Sequence, residues 1–325
     1  MTPPGITTTR QFVNGLLARA ERVIARHPVR WTIGGSILWG TIVGGWAHPS
    51  LFDELEVVMY KAGLLIPPPP KVIRELYDPV FAPLLGWPLQ VLTRLFSDTW
   101  MVCRMLSAMQ GAIAFSAVSL WVFAMTRSVW AALLFPGFFA PMALSWPGHN
   151  YQMYFLPTAA GGGNIGFYTA ILTLGLIAIG KWRTAGFMLG ILPLLHPTVA
   201  LMAWVLAAGV ALGRDSATLA RNRALFAWWI PGAVLSIVLL ALNGLELTPI
   251  SEHGRRALDH FMAIWCHHRR HLDPSLLIQD ALFAVVLLHI WRRIRQVDGN
   301  SVWRAWSGSL ASFIVVLSAY LLVYA

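Results

Sequence analysis

The sequence predicts an all-α fold, a polytopic bundle of transmembrane helices. Hydrophobic residues make up 57% of the chain and charged residues only 12%, whereas an ordinary soluble domain has roughly 25% charged residues. The mean hydropathy is +0.62, and apolar stretches recur along all 325 residues. Several of these stretches have the length that a bilayer demands, so we expect about eight or nine membrane helices in one integral membrane domain over residues 1–325.

The expected membrane segments share a high content of Leu, Ile, Val, Ala, Phe and Trp and a near absence of charge. They are residues 31–46, 101–125, 129–146, 165–180, 185–212, 224–243, 276–290 and 306–324.

The segment 185–212 is long for a single helix and contains Pro193, His196 and Pro197 near its middle. Proline lacks a backbone N–H and disfavours helical geometry in the residue before it. We therefore expect a broken helical hairpin, two short helices that meet at His196 and Pro197.

The distribution of basic residues supports this hairpin. Cytoplasmic loops near helix ends collect Lys and Arg, and with the hairpin the inner segments, which then include Arg214, Arg221 and Arg223, sum to a net charge of +12 and the outer segments to −1. A single crossing would put them outside. The net charge of +10 is then a topology signal, and no nucleic-acid partner is needed to explain it. We expect a multi-pass protein of the cell inner (plasma) membrane with a cytoplasmic N-terminus.

Three segments outside the spans have distinct compositions. Residues 1–30 alternate arginines with apolar residues and predict a cytoplasmic amphipathic segment. The first outer loop, residues 47–99, is long enough to hold its own structure. Within it we expect a helix over 51–64, and short interfacial helices over 79–96 broken by Pro83 and Pro88. The second long outer loop covers residues 245–274.

Asp53 and Glu54 lie a few residues beyond the first span. A carboxylate there could act as a general base or bind a divalent cation. The alternative is an acidic helix start, because Asp and Glu stabilise helix N-termini by capping and through the dipole.

His196 lies at the expected hairpin tip. A polar side chain at membrane depth is costly and is a functional hypothesis by default. The alternative, of equal weight, is a histidine whose hydrogen bond goes to a backbone carbonyl beside Pro197.

The second long outer loop is rich in histidine and arginine. Adjacent arginines suit a phosphate or pyrophosphate, because the guanidinium offers a planar fork of donors. Two other interpretations are a basic helix on lipid headgroups and a metal site, since His267 and His271 would share one helix face. The candidate binding residues are Arg255, His267, His268, Arg269, Arg270 and His271.

The outer segment 146–164 contains no charged residue but has His149 and Tyr151. Neutral hydrogen-bonding and aromatic groups of this kind suit a sugar. They equally suit the aromatic belt of a membrane interface.

The first part of the chain resembles the GT-C superfamily of polytopic glycosyltransferases. The resemblance consists of an outward helix, a loop that opens with Phe52-Asp53-Glu54, a proline-containing loop, and a long inward helix that begins with Arg104-Met105-Leu106-Ser107-Ala108. It implies transfer of a sugar from a polyprenyl-phosphate carrier outside the cytoplasmic membrane, with Asp53 or Glu54 as the acidic residue.

This resemblance suggests membrane lipid and a lipid-linked sugar phosphate as partners. In the resulting hypothesis a carboxylate of Asp53 or Glu54 accepts a proton, and Arg269 and Arg270 neutralise the departing phosphate. His149 would orient the sugar together with Tyr151. A divalent metal is left open as a cofactor. The alternatives are a transporter or flippase of a lipid-linked or anionic solute, with His196 at its gate, and a non-catalytic subunit of a membrane assembly.

Overall fold

In the residues that it describes, the computed structural model is helical, with four very short strands. It describes residues 14–15, 18–19, 21–47, 51–52, 55–64, 83–96, 98–139, 143–145, 152–154, 159–160, 162–211, 216–245 and 250–264. The α-helices are α1 Pro28–Ile42, α2 Leu55–Lys61, α3 Pro83–Leu95, α4 Thr99–Thr126, α5 Val129–Phe139, α6 Gly162–Ala178, α7 Trp182–Ile191, α8 Pro197–Ala211, α9 Ser216–Leu245 and α10 Glu252–Ile264.

Shorter elements complete the chain. A π-helical turn, Val43–Ala47, extends α1, and a 3₁₀ turn, Leu192–Leu194, extends α7. The strands are β1 Leu51–Phe52, β2 Ala143–Ser145, β3 Gln152–Tyr154 and β4 Ala159–Ala160. β1 pairs with β4 in parallel, and β2 pairs with β3 antiparallel. The expected helical class is confirmed, but these ladders were not expected.

Within the described ranges, two helices are long and apolar enough to cross a membrane. They are Thr99–Thr126 and Asn222–Gly244, and the shorter apolar helices are Val129–Phe138, Gly163–Ala178 and Val199–Ala208. Large apolar side chains of α9 face outward; Ile237, for example, is 67% exposed. An exposed apolar surface of this extent marks an interaction with lipid or protein.

Helix α4 is the centre of the bundle, and α1 packs along it closely and antiparallel. A Cβ on Gly40 would collide with the carbonyl oxygen of Gly111, and one on Gly44 with that of Ser107. Farther along, the Ser36 hydroxyl lies 3.3 Å from the Ser116 hydroxyl. Small residues spaced by four let two helix backbones touch, which is how helices associate where apolar burial gives little driving force.

Helix α6 lies parallel to α4. The indole Nε1 of Trp121 donates to the carbonyl oxygen of Ile171 at 3.1 Å, and one turn later Gly175 faces Leu120. Earlier in both helices, Phe115 packs against Tyr168. The C-termini of α4 and α6 therefore lie at one end of the bundle, called here the Arg127 end.

The Arg127 end is closed by tight turns, two of which have capped helix termini. Arg127 adopts the left-handed conformation (φ 57°) and donates its N–H to Phe123, while the Ser128 hydroxyl accepts from the N–H of Ala131 at 3.2 Å. Gly180, also with positive φ (80°), ends α6. Left-handed residues at helix C-termini and hydroxyls at N-termini satisfy the orphan backbone groups.

A second tight seam joins α7 to α9. A Cβ on Gly186 would collide with the carbonyl oxygen of Leu225, and one on Gly190 would lie 2.5 Å from that of Trp229. In these contacts, higher residue numbers on α7 meet higher residue numbers on α9, so the two helices run parallel. This seam holds the broken segment in place.

Several expected boundaries are corrected. The helix expected over 129–146 ends at Phe139, and residues 143–145 form β2. The break expected at Pro88 within 79–96 is absent, because α3 runs from Pro83 to Leu95 with Pro88 inside it. The helix expected over 51–64 is shorter, since residues 51–52 form β1. The expected spans 276–290 and 306–324 lie outside the described residues.

The α1–α4 seam yields a test. Gly40→Ala should lower the free energy of unfolding by about 2 kcal/mol, because the new methyl group would force two backbones apart. Thermal unfolding of the purified protein in detergent measures this loss. The matched control is Gly34→Ala on the same helix, where an added Cβ meets nothing within 4 Å; it should be neutral or slightly stabilising. Equal melting temperatures for the two variants would contradict the seam.

Candidate functional site

The expected break in segment 185–212 is confirmed at His196. Helix α7 tightens into the 3₁₀ turn Leu192–Leu194, and α8 begins at Pro197. The indole Nε1 of Trp204 reaches back to the carbonyl oxygen of Leu189 at 2.8 Å. Leu189 and Trp204 are nearly equidistant in sequence from His196, so the two helices fold back on each other as a hairpin.

The break leaves two backbone carbonyls without helical donors. In an α-helix the carbonyl of Leu189 would accept from residue 193, but Pro193 has no N–H. The carbonyl of Gly190 also lacks its helical donor, because the N–H groups of a 3₁₀ turn bond three residues back instead of four. Side chains of other helices supply the missing donors. Trp204 serves Leu189, and the Ser236 hydroxyl of α9 donates to Gly190 at 2.7 Å, both buried or partly buried. The break is therefore a fixed feature of the bundle.

His196 caps α8. Its imidazole Nδ1 accepts a hydrogen bond from the backbone N–H of Val199 at 3.4 Å, in the manner of an N-cap side chain. A neutral imidazole that accepts at Nδ1 carries its proton on Nε2. The ring proton then lies on Nε2, on the far side of the ring.

That far side lies against the first turns of α6. A Cβ on Gly166 would stand 2.7 Å from the His196 Cβ, and one on Gly163 would stand 3.8 Å from Nε2. Only glycine at position 166 allows this approach without a shift. The hairpin tip and the N-terminus of α6 thus form one surface, called here the His196 end of the bundle.

The β1–β4 ladder brings the first outer segment to the same end. Leu51 pairs with Ala159 and Phe52 with Ala160, two residues before α6 begins at Gly162. The described residues that flank Asp53 and Glu54, namely Phe52 and Leu55, are thereby tied to the start of α6. Sequence spacing gave no indication of this pairing.

Helices α2 and α3 cover the His196 end. Leu55 and Val58 of α2 and Leu89 of α3 are buried in one apolar cluster with residues of α4, α6 and the hairpin. The Arg94 guanidinium donates to the carbonyl oxygen of Ala62 at 3.3 Å, which joins α3 to the end of α2. A positive group at a helix C-terminus is favourable.

A buried amide lies at this level on α4. Gln110 is 2% exposed, and its Oε1 has no hydrogen-bond partner. Gln110 precedes Ala114 by one turn, and Asn164 precedes Tyr168 by one turn. Since Ala114 and Tyr168 belong to one packed cluster in parallel helices, Gln110 is level with Asn164 in the first turn of α6. An unsatisfied buried amide costs roughly 1–3 kcal/mol.

The predicted site residues fall into three groups. His196 lies at the surface just described. Arg255 is exposed on α10, beside Arg256, whose Nε is 3.4 Å from a Glu252 carboxylate oxygen. The remaining predicted residues lie outside the described ranges and stay predictions: Asp53, Glu54, His149, Tyr151, His267, His268, Arg269, Arg270 and His271.

Three polar residues of this region were missed from the sequence: Gln110, Trp204 and Ser236. Gln110 could have been noticed as an amide within the apolar stretch 101–125. Trp204 and Ser236, which donate to the broken helix, have no signature in the sequence around the break, because they lie on α8 and α9. Among the described residues, no group of three or more His, Cys, Asp or Glu side chains is placed to hold a metal ion.

The broken hairpin yields a second test. Trp204→Phe keeps the ring but removes the N–H that Leu189 needs, and should lower the free energy of unfolding by about 1–2 kcal/mol. Chemical or thermal unfolding in detergent measures it. Trp228→Phe on exposed α9 surface is the control, because Trp228 is 45% exposed, and should be near neutral. A Trp204→Phe protein as stable as wild type would show that the carbonyl does not depend on the indole.

Comparison with known proteins gives no relative: no protein-family model matches the chain, and neither a curated protein nor a solved structure matches it.

Proposed function

We propose that the chain is a multi-pass membrane glycosyltransferase that moves a sugar from a polyprenyl-phosphate carrier to an acceptor on the extracytoplasmic face. The bundle would have about eight or nine membrane helices, as the lengths of its apolar segments suggest. The exposed apolar side of α9 and the small-residue seams support a lipid environment. The N-terminus would be cytoplasmic and the Arg127 end would face inward.

The observation that carries the proposal is the parallel β1–β4 ladder. It ties the flanks of Asp53 and Glu54 to the start of α6, where the imidazole of His196 also lies. Transfer from a lipid phosphate uses a general base for the acceptor hydroxyl and a group that attracts the phosphate, and a helix N-terminus attracts anions. In this proposal a carboxylate of Asp53 or Glu54 takes the proton of the acceptor hydroxyl as that oxygen attacks the anomeric carbon, and the sugar–phosphate bond breaks.

Transport is the second candidate, and the discontinuous α7–α8 hairpin favours it. Broken helices near the centre of a bundle form binding sites in many transporters. The donors that Trp204 and Ser236 give to the break argue for a rigid site. A transporter would move its substrate without covalent change, so product analysis separates the two functions.

The topology can be tested by labelling. With Cys266 replaced by Ser, a membrane-impermeant maleimide applied to intact cells should label His253→Cys but not Thr184→Cys. Both positions are exposed, and Cys103 is buried, so labelling reports sidedness alone. Thr184→Cys should react only after the membrane is opened. Labelling of both positions, or of Thr184→Cys alone, in intact cells would overturn the proposed orientation.

The chemistry is tested with the double variant Asp53→Asn plus Glu54→Gln. Purified protein is mixed with a panel of polyprenyl-phosphate sugars, and products are measured by mass spectrometry. Donor consumption should fall at least about 100-fold, because general-base catalysis typically contributes that much. Glu252→Gln, an exposed carboxylate of the second outer segment, is the matched control and should retain activity. Undiminished consumption by the double variant would exclude these carboxylates, and solute movement without product would favour transport.

A further inference from the structure

The Arg127 end of the bundle gathers exposed basic side chains from separate parts of the chain. Within the described residues none of them forms an ion pair. Across the segments that carry them (18–19, 21–30, 126–130, 180–184 and 222–224) the only carboxylate is that of Glu21. We call these six side chains the cation cluster: Arg26, Arg30, Arg127, Lys181, Arg183 and Arg223.

Two of these cations are brought level by the packing of α4 against α6. Gly175 of α6 faces Trp121 of α4, and the two helices run parallel. Six residues further along each chain segment lie Lys181 and Arg127, in the turns that follow the two helices. The two cations therefore lie at the same end, although more than fifty residues separate them in the sequence.

The seam between α7 and α9 adds two more. Gly186 contacts Leu225, and these helices are also parallel. Arg183 precedes Gly186 by three residues and Arg223 precedes Leu225 by two, so both lie in the first turns on the same level. Since α7 begins directly after Lys181, all four cations share one end of the bundle.

Helix α1 contributes from the opposite chain direction. It runs antiparallel to α4 through the contact of Ser36 with Ser116, so its first residues, with Arg30, lie toward the end of α4, and Arg26 lies beyond them. Unpaired like charges close together repel one another. The fold nevertheless concentrates them, which indicates that an anion meets them in the working protein.

Large apolar side chains are exposed immediately inside the cation level. Trp31, next to Arg30, is 46% exposed, and Phe226, one turn after Arg223, is 55% exposed. On α9 the exposed apolar face continues through Ile230, Val234 and Ile237. Their helical spacing sets them in one stripe with Arg223 at its end.

This pattern distinguishes between acidic partners. A soluble acidic peptide or a nucleic acid would find charge complementarity but would leave the apolar stripe exposed. A phospholipid with net negative charge offers a phosphate for the cations and acyl chains for the stripe. The surface therefore matches an anionic lipid in both its parts.

We propose that the cation cluster and the apolar stripe of α9 form a binding surface for anionic phospholipids. The phosphates lie among the guanidinium and ammonium groups, and the acyl chains lie along Phe226, Ile230, Val234 and Ile237. The surface is at the opposite end from His196, so it is a property of the protein apart from the proposed sugar transfer. It makes the protein dependent on the charge of the lipids around it.

The first experiment measures lipid preference. Full-length protein in neutral detergent is mixed with equal amounts of dioleoyl-phosphatidylglycerol and dioleoyl-phosphatidylcholine, and the retained lipids are counted by native mass spectrometry. Phosphatidylglycerol should be retained at least about fivefold more, the preference expected from one cation beside an anionic headgroup. Because detergent removes the bilayer, the result does not depend on which way the protein faces.

Two triple variants separate this surface from net charge. One replaces Lys181, Arg183 and Arg223 by Gln, and the control replaces three exposed arginines elsewhere, Arg104, Arg255 and Arg256, by Gln. Each lowers the net charge of +10 by three. The first should retain the two lipids about equally, whereas the control should keep the wild-type preference. Both should melt near the wild-type temperature, because exposed side chains contribute little to stability.

A charge-preserving variant, Arg183→Lys plus Arg223→Lys, should retain phosphatidylglycerol like the wild type. If it loses the preference as fully as the Gln variant does, the effect comes from arginine packing, and the charge assignment is wrong.

Three other results would overturn the surface: a wild-type protein without preference, an equal loss in the control variant, or displacement of the bound lipid by polyglutamate, which would indicate an acidic peptide partner. Cluster-dependent lipid retention in a protein that consumes no sugar donor would keep the surface and remove the transferase. Donor consumption by a protein without lipid preference would do the reverse.

Discussion

The carbonyl oxygens of Leu189 and Gly190, which the helix break at Pro193 leaves without helical donors, are the constraint on which the rest of the structure depends. A buried carbonyl without a partner costs roughly 1–3 kcal/mol, and in lipid more. The chain meets this cost with Trp204 and Ser236, which lie on two other helices. Both must be within hydrogen-bond distance at once, so α8 and α9 are fixed against α7, and the position of His196 follows.

Close approach of helix backbones makes this arrangement attainable. Ser236 reaches Gly190 only because α7 and α9 touch through Gly186 and Gly190. The α1–α4 seam works in the same way through Gly40 and its neighbours. Such seams leave the large apolar side chains to point outward, which explains why α9 exposes so much apolar surface. Small residues hold the interior, and the large ones meet the surroundings.

The sequence predicted those features that have a local cause. The break at Pro193, His196 and Pro197 follows from proline chemistry and was found where expected. Pro88 was misjudged, because a proline inside a helix can be tolerated when neighbouring groups satisfy the freed carbonyl. The end of α5 at Phe139 was missed because residues 140–146 are as apolar as the helix before them.

The candidate site was only partly predictable for the same reason. His196 was found because a polar residue within an apolar segment can be recognised from the sequence alone. Its contact with Gly166, the pairing of Phe52 with Ala160, and the level of Gln110 beside Asn164 depend on how distant segments pack. Register between segments more than a hundred residues apart, such as β1 and β4, has no signature in composition or periodicity.

The two ends of the bundle differ in a way that packing alone does not require. At the Arg127 end the exposed backbone groups are met by Arg127, Ser128 and a glycine turn, each a stabilising choice. At the His196 end the chain accepts an all-glycine helix start and a buried amide without a partner. Proteins tend to break local stability rules at functional sites, where something other than stability is gained. The glycine start of α6 is the feature that sets the His196 end apart, because buried polar atoms without a partner occur toward both ends: Gln110 Oε1 toward the His196 end, and Thr32 Oγ1 and Ser119 Oγ toward the Arg127 end.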